Sequence, residues 1–81
     1  MARVFLASTL RRFTAGVEEI EIDAATVRSL IAELDRRFPG LGQHLRSGLA
    51  VAIDGEIIGD AIYEPVPEGA EVHFLPPMGG G

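Results

Sequence analysis

The chain has 81 residues, 47% of them hydrophobic and 23% charged, which suits one small folded domain and excludes global disorder and a large internal active site. Twelve acidic residues outnumber seven basic ones, for a net charge of −5, and this balance argues against binding to nucleic-acid phosphates. The absence of cysteine excludes disulfides, zinc–thiolate sites and cysteine nucleophiles; since no apolar run suits a signal peptide or a membrane span, we expect a cytoplasmic protein.

Two strands are predicted near the N-terminus. Residues Arg3 to Thr9 are rich in strand formers and are followed by the polar pair Arg11-Arg12, as expected of a first strand. Gly16 allows a turn. Val17 to Ile22 then alternates apolar and acidic residues, except at the adjacent Glu18-Glu19, where we expect a bulge. This second strand is predicted to be half-exposed.

One amphipathic helix follows, of about three turns by the 3.6-residue repeat. Thr26 is a plausible N-cap, Arg36 and Arg37 fall in the last turn, and Pro39-Gly40 ends the element, in agreement with the usual start and stop signals of helices. The apolar stripe of the helix is predicted to face the core. Its members are Val27, Leu30, Ile31, Leu34 and Phe38.

The remaining strands complete the predicted fold. Asp54-Gly55 lies between Leu49 to Ile53 and Glu56 to Ile58, and such a pair favours a hairpin because a type I′ turn needs positive φ at both central residues. After a proline-rich loop, Glu71 to Leu75 forms a last strand that Pro76-Pro77 stops. The order β-β-α-β-β-β predicts an α+β fold of the β-grasp (ubiquitin-like) type. In it one helix covers a mixed sheet, and the first and last strands pair in parallel at its centre.

Alternation along the first and last strands divides their side chains between two faces. Phe5, His73 and Leu75 then lie on the face away from the helix, where Phe5 and Leu75 are candidates for an apolar docking patch. The alternative is that they pack under a loop or are singly exposed. The predicted core-facing residues are Val4, Leu6, Val72 and Phe74.

The C-terminal tail carries the most distinctive chemistry. We expect residues 1–77 to form the domain and residues 78–81, Met78-Gly79-Gly80-Gly81, to form a tail that Pro76-Pro77 project from the body. Glycines lack Cβ, so a narrow channel of a partner can admit them. The alternative is a flexible end without function. Neither His44 nor His73 has a Cys, His or carboxylate partner at the spacing typical of metal ligands, and no nucleophile–base motif is present. We therefore predict no metal site and no catalysis by the chain alone.

The residues resemble the MoaD/ThiS family of ubiquitin-like sulfur carriers. The opening strand with Leu10-Arg11-Arg12-Phe13, the helix entered through Thr26-Val27, the segment Leu49 to Gly55 and the ending Gly69 to Gly81 carry the resemblance. The ending is the specific part: a last strand, a Phe-x-Pro-Pro stretch and a terminal Gly80-Gly81. Gly79 departs from the family, which more often has a small or varied residue there.

The resemblance implies a carrier rather than an enzyme. In such proteins a ubiquitin-activating-type adenylyltransferase uses ATP and magnesium to adenylate the terminal glycine, here Gly81, and sulfur delivery converts it to a thiocarboxylate. Gly80 accompanies Gly81 in the reacting end, and no cofactor is bound by the carrier itself. The residues expected to contact partners are Phe5, Leu75, Pro77, Met78 and Gly79.

The sulfur acceptor is left open by the resemblance. Phe74-Leu75-Pro76-Pro77 and the length look most like the small subunit of molybdopterin synthase, whose large subunit would be the partner. Carriers for thiazole, cysteine or tungsten-cofactor synthesis share the same ending, as do archaeal-type protein modifiers conjugated through their last glycine. A non-covalent β-grasp binding module is a further alternative.

Overall fold

The computed structural model describes residues 1–6, 8–46 and 50–75. Predicted site residues Pro77, Met78, Gly79, Gly80 and Gly81, and the side chain of Leu75, lie outside the described part. The elements in chain order are β1 (Ala2–Phe5), a 3₁₀ helix (Ser8–Phe13), β2 (Glu19–Ile22), α1 (Val27–Arg37), α2 (Leu41–Leu45), β3 (Ala50–Ile53), β4 (Glu56–Gly59) and β5 (Glu71–Leu75).

The five strands form one mixed sheet in the order β2-β1-β5-β3-β4. β1 and β5 pair in parallel, with Val4 opposite Val72, and the other neighbours pair antiparallel. The predicted β-grasp arrangement, with the first and last strands parallel at the centre, is therefore confirmed. The predicted core-facing residues of β1 and β5 are buried, as are four members of the helix stripe: Val4, Leu6, Val72, Phe74, Val27, Leu30, Ile31 and Leu34.

The ends of α1 follow from local chemistry. Thr26 Oγ1 accepts a hydrogen bond from the Ser29 backbone N–H at 3.2 Å, and Ser29 Oγ accepts one from the Thr26 N–H at 3.1 Å. This reciprocal capping box satisfies two backbone donors at the start of the helix. At the other end Phe38 is the C-cap and Gly40 has a φ of 97°. The predicted N-cap and C-terminal stop are confirmed.

The β3–β4 turn is also as predicted. Asp54 and Gly55 have φ values of 50° and 88°, the positive values of a type I′ turn, and Ile53 pairs with Glu56 across them. Asp54 Oδ1 additionally accepts a hydrogen bond from the Glu71 N–H at 2.9 Å, which ties the hairpin to the start of β5. Of the predicted strand Leu49 to Ile53, Leu49 lies outside the described residues.

The first two strands are shorter than predicted. β1 ends at Phe5, and residues predicted as its second half begin the 3₁₀ helix. In that helix Leu10 is buried and Phe13 packs against the core, because side chains three residues apart in a 3₁₀ helix lie on one side. β2 begins only at Glu19 and keeps a regular register with β1, so the bulge expected at Glu18-Glu19 is wrong.

The second helix, α2, was missed by the sequence analysis. Its five residues are too few for a helical period to be recognised. It is held instead by Asp35 of α1, whose Oδ1 accepts hydrogen bonds from the Gly40 N–H at 3.1 Å and the Gly42 N–H at 3.0 Å. A contact between a side chain of α1 and the backbone that follows the helix therefore decides this element.

Gly42 is expected to tolerate no side chain. A Cβ at Gly42 would lie 2.6 Å from the Asp35 Cβ, so Gly42→Ala should lower the free energy of unfolding by about 1–3 kcal/mol through overpacking. A Cβ at Gly59 would meet open space, so Gly59→Ala should change it by no more than about 0.5 kcal/mol. Urea denaturation of both variants checks this; an equal effect at the two glycines would contradict it.

Candidate functional site: the open sheet face and the tail exit

The last strand lies at the centre of the sheet. β5 pairs with β1 on one side and β3 on the other, so each edge of the strand is hydrogen-bonded to a neighbour. Its last residue, Leu75, pairs with Ala50 at the start of β3. The predicted tail therefore follows a strand that is hydrogen-bonded to a neighbour on both edges.

One row of side chains crosses the sheet on the face away from α1. Directly opposed residues of neighbouring strands point to the same face, and five such residues follow one another from β2 to β4. None of the five is fully buried, and the Ile57 side chain is 70% exposed. The row, called the open-face row below, consists of Glu19, Phe5, His73, Ala52 and Ile57.

The centre of the open-face row is an aromatic pair. The rings of Phe5 and His73 stack with centroids 4.6 Å apart and planes 10° apart. The Arg3 guanidinium lies 5.7 Å from the centroid of Phe5 and pairs with Glu71 at 3.2 Å and Glu19 at 3.7 Å. The row therefore offers a partner an ordered aromatic and aliphatic surface with a charged rim, the usual composition of a protein interface.

Sequence reasoning found part of this row. The placement of Phe5 and His73 on the face away from the helix is confirmed, but His73 was not predicted to take part in docking, and Ala52 and Ile57 were missed. The signal was present: a two-residue Asp54-Gly55 turn fixes the hairpin register, so Ile57 must face the same way as Ala52. The role of Phe5 and Leu75 in docking stays a prediction.

Within residues 1–6, 8–46 and 50–75, no three side chains of the metal-binding types come together, and no helix of this part has the length and apolar character to cross a membrane. A cavity of about 210 Å³ lies among residues that include Met1, Asp23 and Glu68. The cavity lies at the start of β1. This is the end of the sheet opposite Leu75, the last residue of β5.

Comparison with known proteins identifies the family. The model of the ThiS family matches residues 4–81, nearly the whole chain and its terminal glycines. The chain belongs to the ThiS family. It is a ubiquitin-like sulfur carrier of the MoaD/ThiS type, as the resemblance of its sequence predicted. Proteins of this family are small carriers that act with activating enzymes and sulfur-acceptor proteins.

Solved structures share the fold of this ThiS-family chain at low sequence identity. A chain of the Amycolatopsis orientalis BexX/CysO complex is 24% identical, with a TM-score of 0.86 over 100% of both chains. The small archaeal modifier protein 1 of Methanosarcina acetivorans is 21% identical, with a TM-score of 0.80 over 99% of this chain and 95% of that one. A putative molybdopterin converting factor subunit 1 of Pyrococcus furiosus is 24% identical, with a TM-score of 0.69 over 94% and 95%.

These three likenesses concern the fold alone. Their names belong to different systems, so they do not assign the ThiS-family chain to one pathway. No curated protein sequence matches the chain. The family is therefore established by its sequence model and the β-grasp fold by the structural neighbours.

Proposed function

We propose that this protein carries sulfur as a thiocarboxylate on Gly81. The observation that supports the proposal is the ThiS family match, which extends through Gly81, together with the central position of β5, from which the tail continues. The partner is a ubiquitin-activating-type adenylyltransferase that uses ATP and magnesium.

The proposed chemistry has two steps. A carboxylate oxygen of Gly81 attacks the α-phosphorus of ATP, which forms the acyl adenylate and releases pyrophosphate. Hydrosulfide supplied by a sulfur donor then attacks the activated carbonyl carbon, AMP leaves with the electron pair of the broken C–O bond, and loss of the S–H proton leaves the thiocarboxylate. The chain has no cysteine, so a side-chain thiol of the carrier cannot compete for the activated acyl group.

The test is a measurement of intact mass. Incubation with the adenylyltransferase of the source organism, ATP, magnesium and a sulfur donor should raise the mass by the difference between one sulfur and one oxygen atom. The matched control lacks Gly80 and Gly81, so that no Gly-Gly remains at its end, and it should gain nothing, although its thermal unfolding should be unchanged. A full-length protein that forms neither an adenylate nor a thiocarboxylate would refute the proposal.

For the sulfur acceptor we propose the large subunit of molybdopterin synthase, with this chain as the small subunit. The stretch Phe74-Leu75-Pro76-Pro77 before the glycines and the Pyrococcus furiosus neighbour named a molybdopterin converting factor subunit support it. The likeness to a chain of the BexX/CysO complex supports transfer to another acceptor as the second candidate.

Mixing the thiocarboxylate form with a purified molybdopterin synthase large subunit and its precursor should return the carrier to its carboxylate mass. Persistence of the thiocarboxylate favours the second candidate.

Conjugation to other proteins is the alternative that the archaeal modifier neighbour supports. In that case Gly81 would form an amide with a lysine amine. Immunoblots of cell extract would then show a ladder of heavier species that disappears when the terminal glycines are deleted. A single band at the mass of the carrier excludes this function under the growth condition tested.

We further propose that the open-face row docks on the activating enzyme. Ile57 supports this role because 70% of its side chain is exposed and because its register places it beside Ala52 and His73. An exposed apolar side chain in line with an aromatic pair is typical of a protein interface. The stacked Phe5–His73 pair loses little conformational freedom when a partner covers it.

Ile57→Ala is expected to weaken binding to the adenylyltransferase about tenfold, which corresponds to about 1.4 kcal/mol. The matched control is Tyr63→Ala. Tyr63 is 75% exposed but lies in the loop whose backbone carbonyls at residues 62 and 64 accept hydrogen bonds from the first turn of α1, away from the row. Titration calorimetry compares the two variants, and equal losses would contradict a docking role specific to the row.

A further inference from the structure

A surface cluster joins the 3₁₀ helix to α2. The Arg12 guanidinium lies 5.1 Å from the centroid of the Phe13 ring, and the centroid of the His44 ring lies 5.1 Å from that of Phe13. Arg12 and His44 are exposed, whereas Phe13 is half-buried and packs against the core. Because Phe13 is anchored, the stacked Arg12 is partly ordered before any partner arrives, which lowers the entropy cost of binding.

The cluster lies at the end of the sheet where the tail begins. The 3₁₀ helix follows β1, whose last residue Phe5 lies beside His73 of β5. On the other side, α2 and its C-cap Arg46 lead to β3, which begins at Ala50 opposite Leu75. Because β1 and β3 flank β5, the end of β1 and the start of β3 lie at the end of the sheet where β5 ends.

The arginines at this end differ from most others in the protein. Arg36 and Arg37 donate hydrogen bonds to Glu33, and these bonds lower the pKa of Glu33 to about 2, so this carboxylate is ionised at neutral pH and offsets their charge. Arg3 and Arg11 also form salt bridges with glutamates. Within the described residues, the arginines without a carboxylate partner are Arg12, Arg28 and Arg46.

Carboxylates collect at the opposite end of the sheet. Asp23 follows the end of β2, Glu68 precedes β5, and Asp54 and Glu56 lie at the β3–β4 turn. At the tail end the described carboxylates are fewer, and three of the four are engaged: Glu18 pairs with Arg11, Glu19 with Arg3, and Asp35 accepts hydrogen bonds from the amides at the start of α2. The fourth is Asp60, after the edge strand β4. A protein with a net charge of −5 therefore presents two of the three unpaired arginines of its described residues beside the tail, and such an asymmetry orients a protein in the field of a charged partner.

We propose that Arg12 and Arg46, with Phe13 and His44, form a cationic docking site for an acidic rim around the channel of the activating enzyme. The inference rests on the proposed function. Six residues, 76–81, span at most about 20 Å when extended, so with Gly81 at the nucleotide the cluster meets the rim of the channel rather than the ATP phosphates. Attraction between rim and cluster brings the carrier in tail first and raises the rate of association.

The test compares charge reversals at the two ends of the molecule. Arg12→Glu, a single reversal like the control, should lower kcat/KM for ATP–pyrophosphate exchange about tenfold at an ionic strength of about 0.01 M, and the difference from wild type should disappear at about 1 M, where the screening length falls to about 3 Å. The matched control is Arg28→Glu, an exposed and equally unpaired arginine in the first turn of α1. The kcat/KM of this control variant for exchange should stay within about twofold of the wild-type value.

Three results would overturn the inference. An equal loss in Arg28→Glu would mean that only net charge matters, and a loss that persists at high salt would mean that the substitutions act through something other than attraction between charges. Unchanged exchange in the tail-end variant would mean that the cluster has no role. A wild-type protein that supports no exchange at any salt would refute the proposed function itself, a result that does not depend on the substitutions. Thermal unfolding of each variant should match that of wild type.

Discussion

Gly80→Val is expected to lower the rate of adenylation by about 100-fold, the scale of loss when reacting groups are misplaced by about 1 Å. A β-branched side chain restricts the backbone next to the reacting carbonyl and widens a segment that must enter the channel of the activating enzyme. The measurement is kcat/KM in ATP–pyrophosphate exchange with the adenylyltransferase of the source organism.

Gly79→Val provides the matched control for this experiment. The same side chain one residue earlier lies outside the terminal Gly80-Gly81, so kcat/KM for exchange should stay within about threefold of wild type, less than 1 kcal/mol of barrier. Both variants should unfold at the wild-type temperature, since the substitutions lie after β5. Equal losses at Gly79 and Gly80 would contradict a requirement confined to the terminal Gly-Gly.

Phe74→Ala is expected to lower the free energy of unfolding by about 3–5 kcal/mol. Phe74 is among the largest fully buried side chains and lies on β5, opposite the buried Val51 of β3. Domains of this size are stabilised by about 5–15 kcal/mol in total, so this one truncation should populate the unfolded state measurably. Chemical denaturation followed by circular dichroism gives the value.

Phe5→Ala tests the other face of the same sheet. Phe5 is only half-buried and stacks on the exposed His73, so its loss should cost about 1 kcal/mol, the scale of an aromatic pair. Phe5→Ala should instead weaken binding to the activating enzyme. In Phe74→Ala, the molecules that remain folded should bind the enzyme with the wild-type affinity. A large loss of stability in Phe5→Ala would show that the open-face row belongs to the structural core rather than to a docking surface.

The elements that were predicted correctly are those whose signals are local. Thr26 and Ser29 are three residues apart, so their reciprocal hydrogen bonds require only that the helix begin there. The Asp54-Gly55 turn needs only two residues that accept positive φ. Its two-residue length also fixes the register of β3 on β4, and from that register the exposure of Ile57 follows.

The elements that were missed depend on contacts between one element and another. α2 is held by a carboxylate of α1 through the Gly40 and Gly42 amides, and a five-residue helix has too few residues for its own periodicity. β1 stops at Phe5, while Leu10 of the following 3₁₀ helix is buried in the common core. Strand propensity alone does not predict this packing contact.

The sequence by itself determined the faces of β1, β5 and α1 and the start of α1, because alternation and capping are properties of neighbouring residues, and its resemblance to the MoaD/ThiS carriers predicted the family that the ThiS model match shows. Only the tertiary structure decided which side chains stand together. It brought Phe5, His73 and Ile57, from three separate strands, into one row, and it placed Arg12 and His44 around one Phe13 ring at the tail exit. Such neighbours are separated by tens of residues, and the pairing of β5 between β1 and β3 is what brings them to the same face and the same end of the sheet.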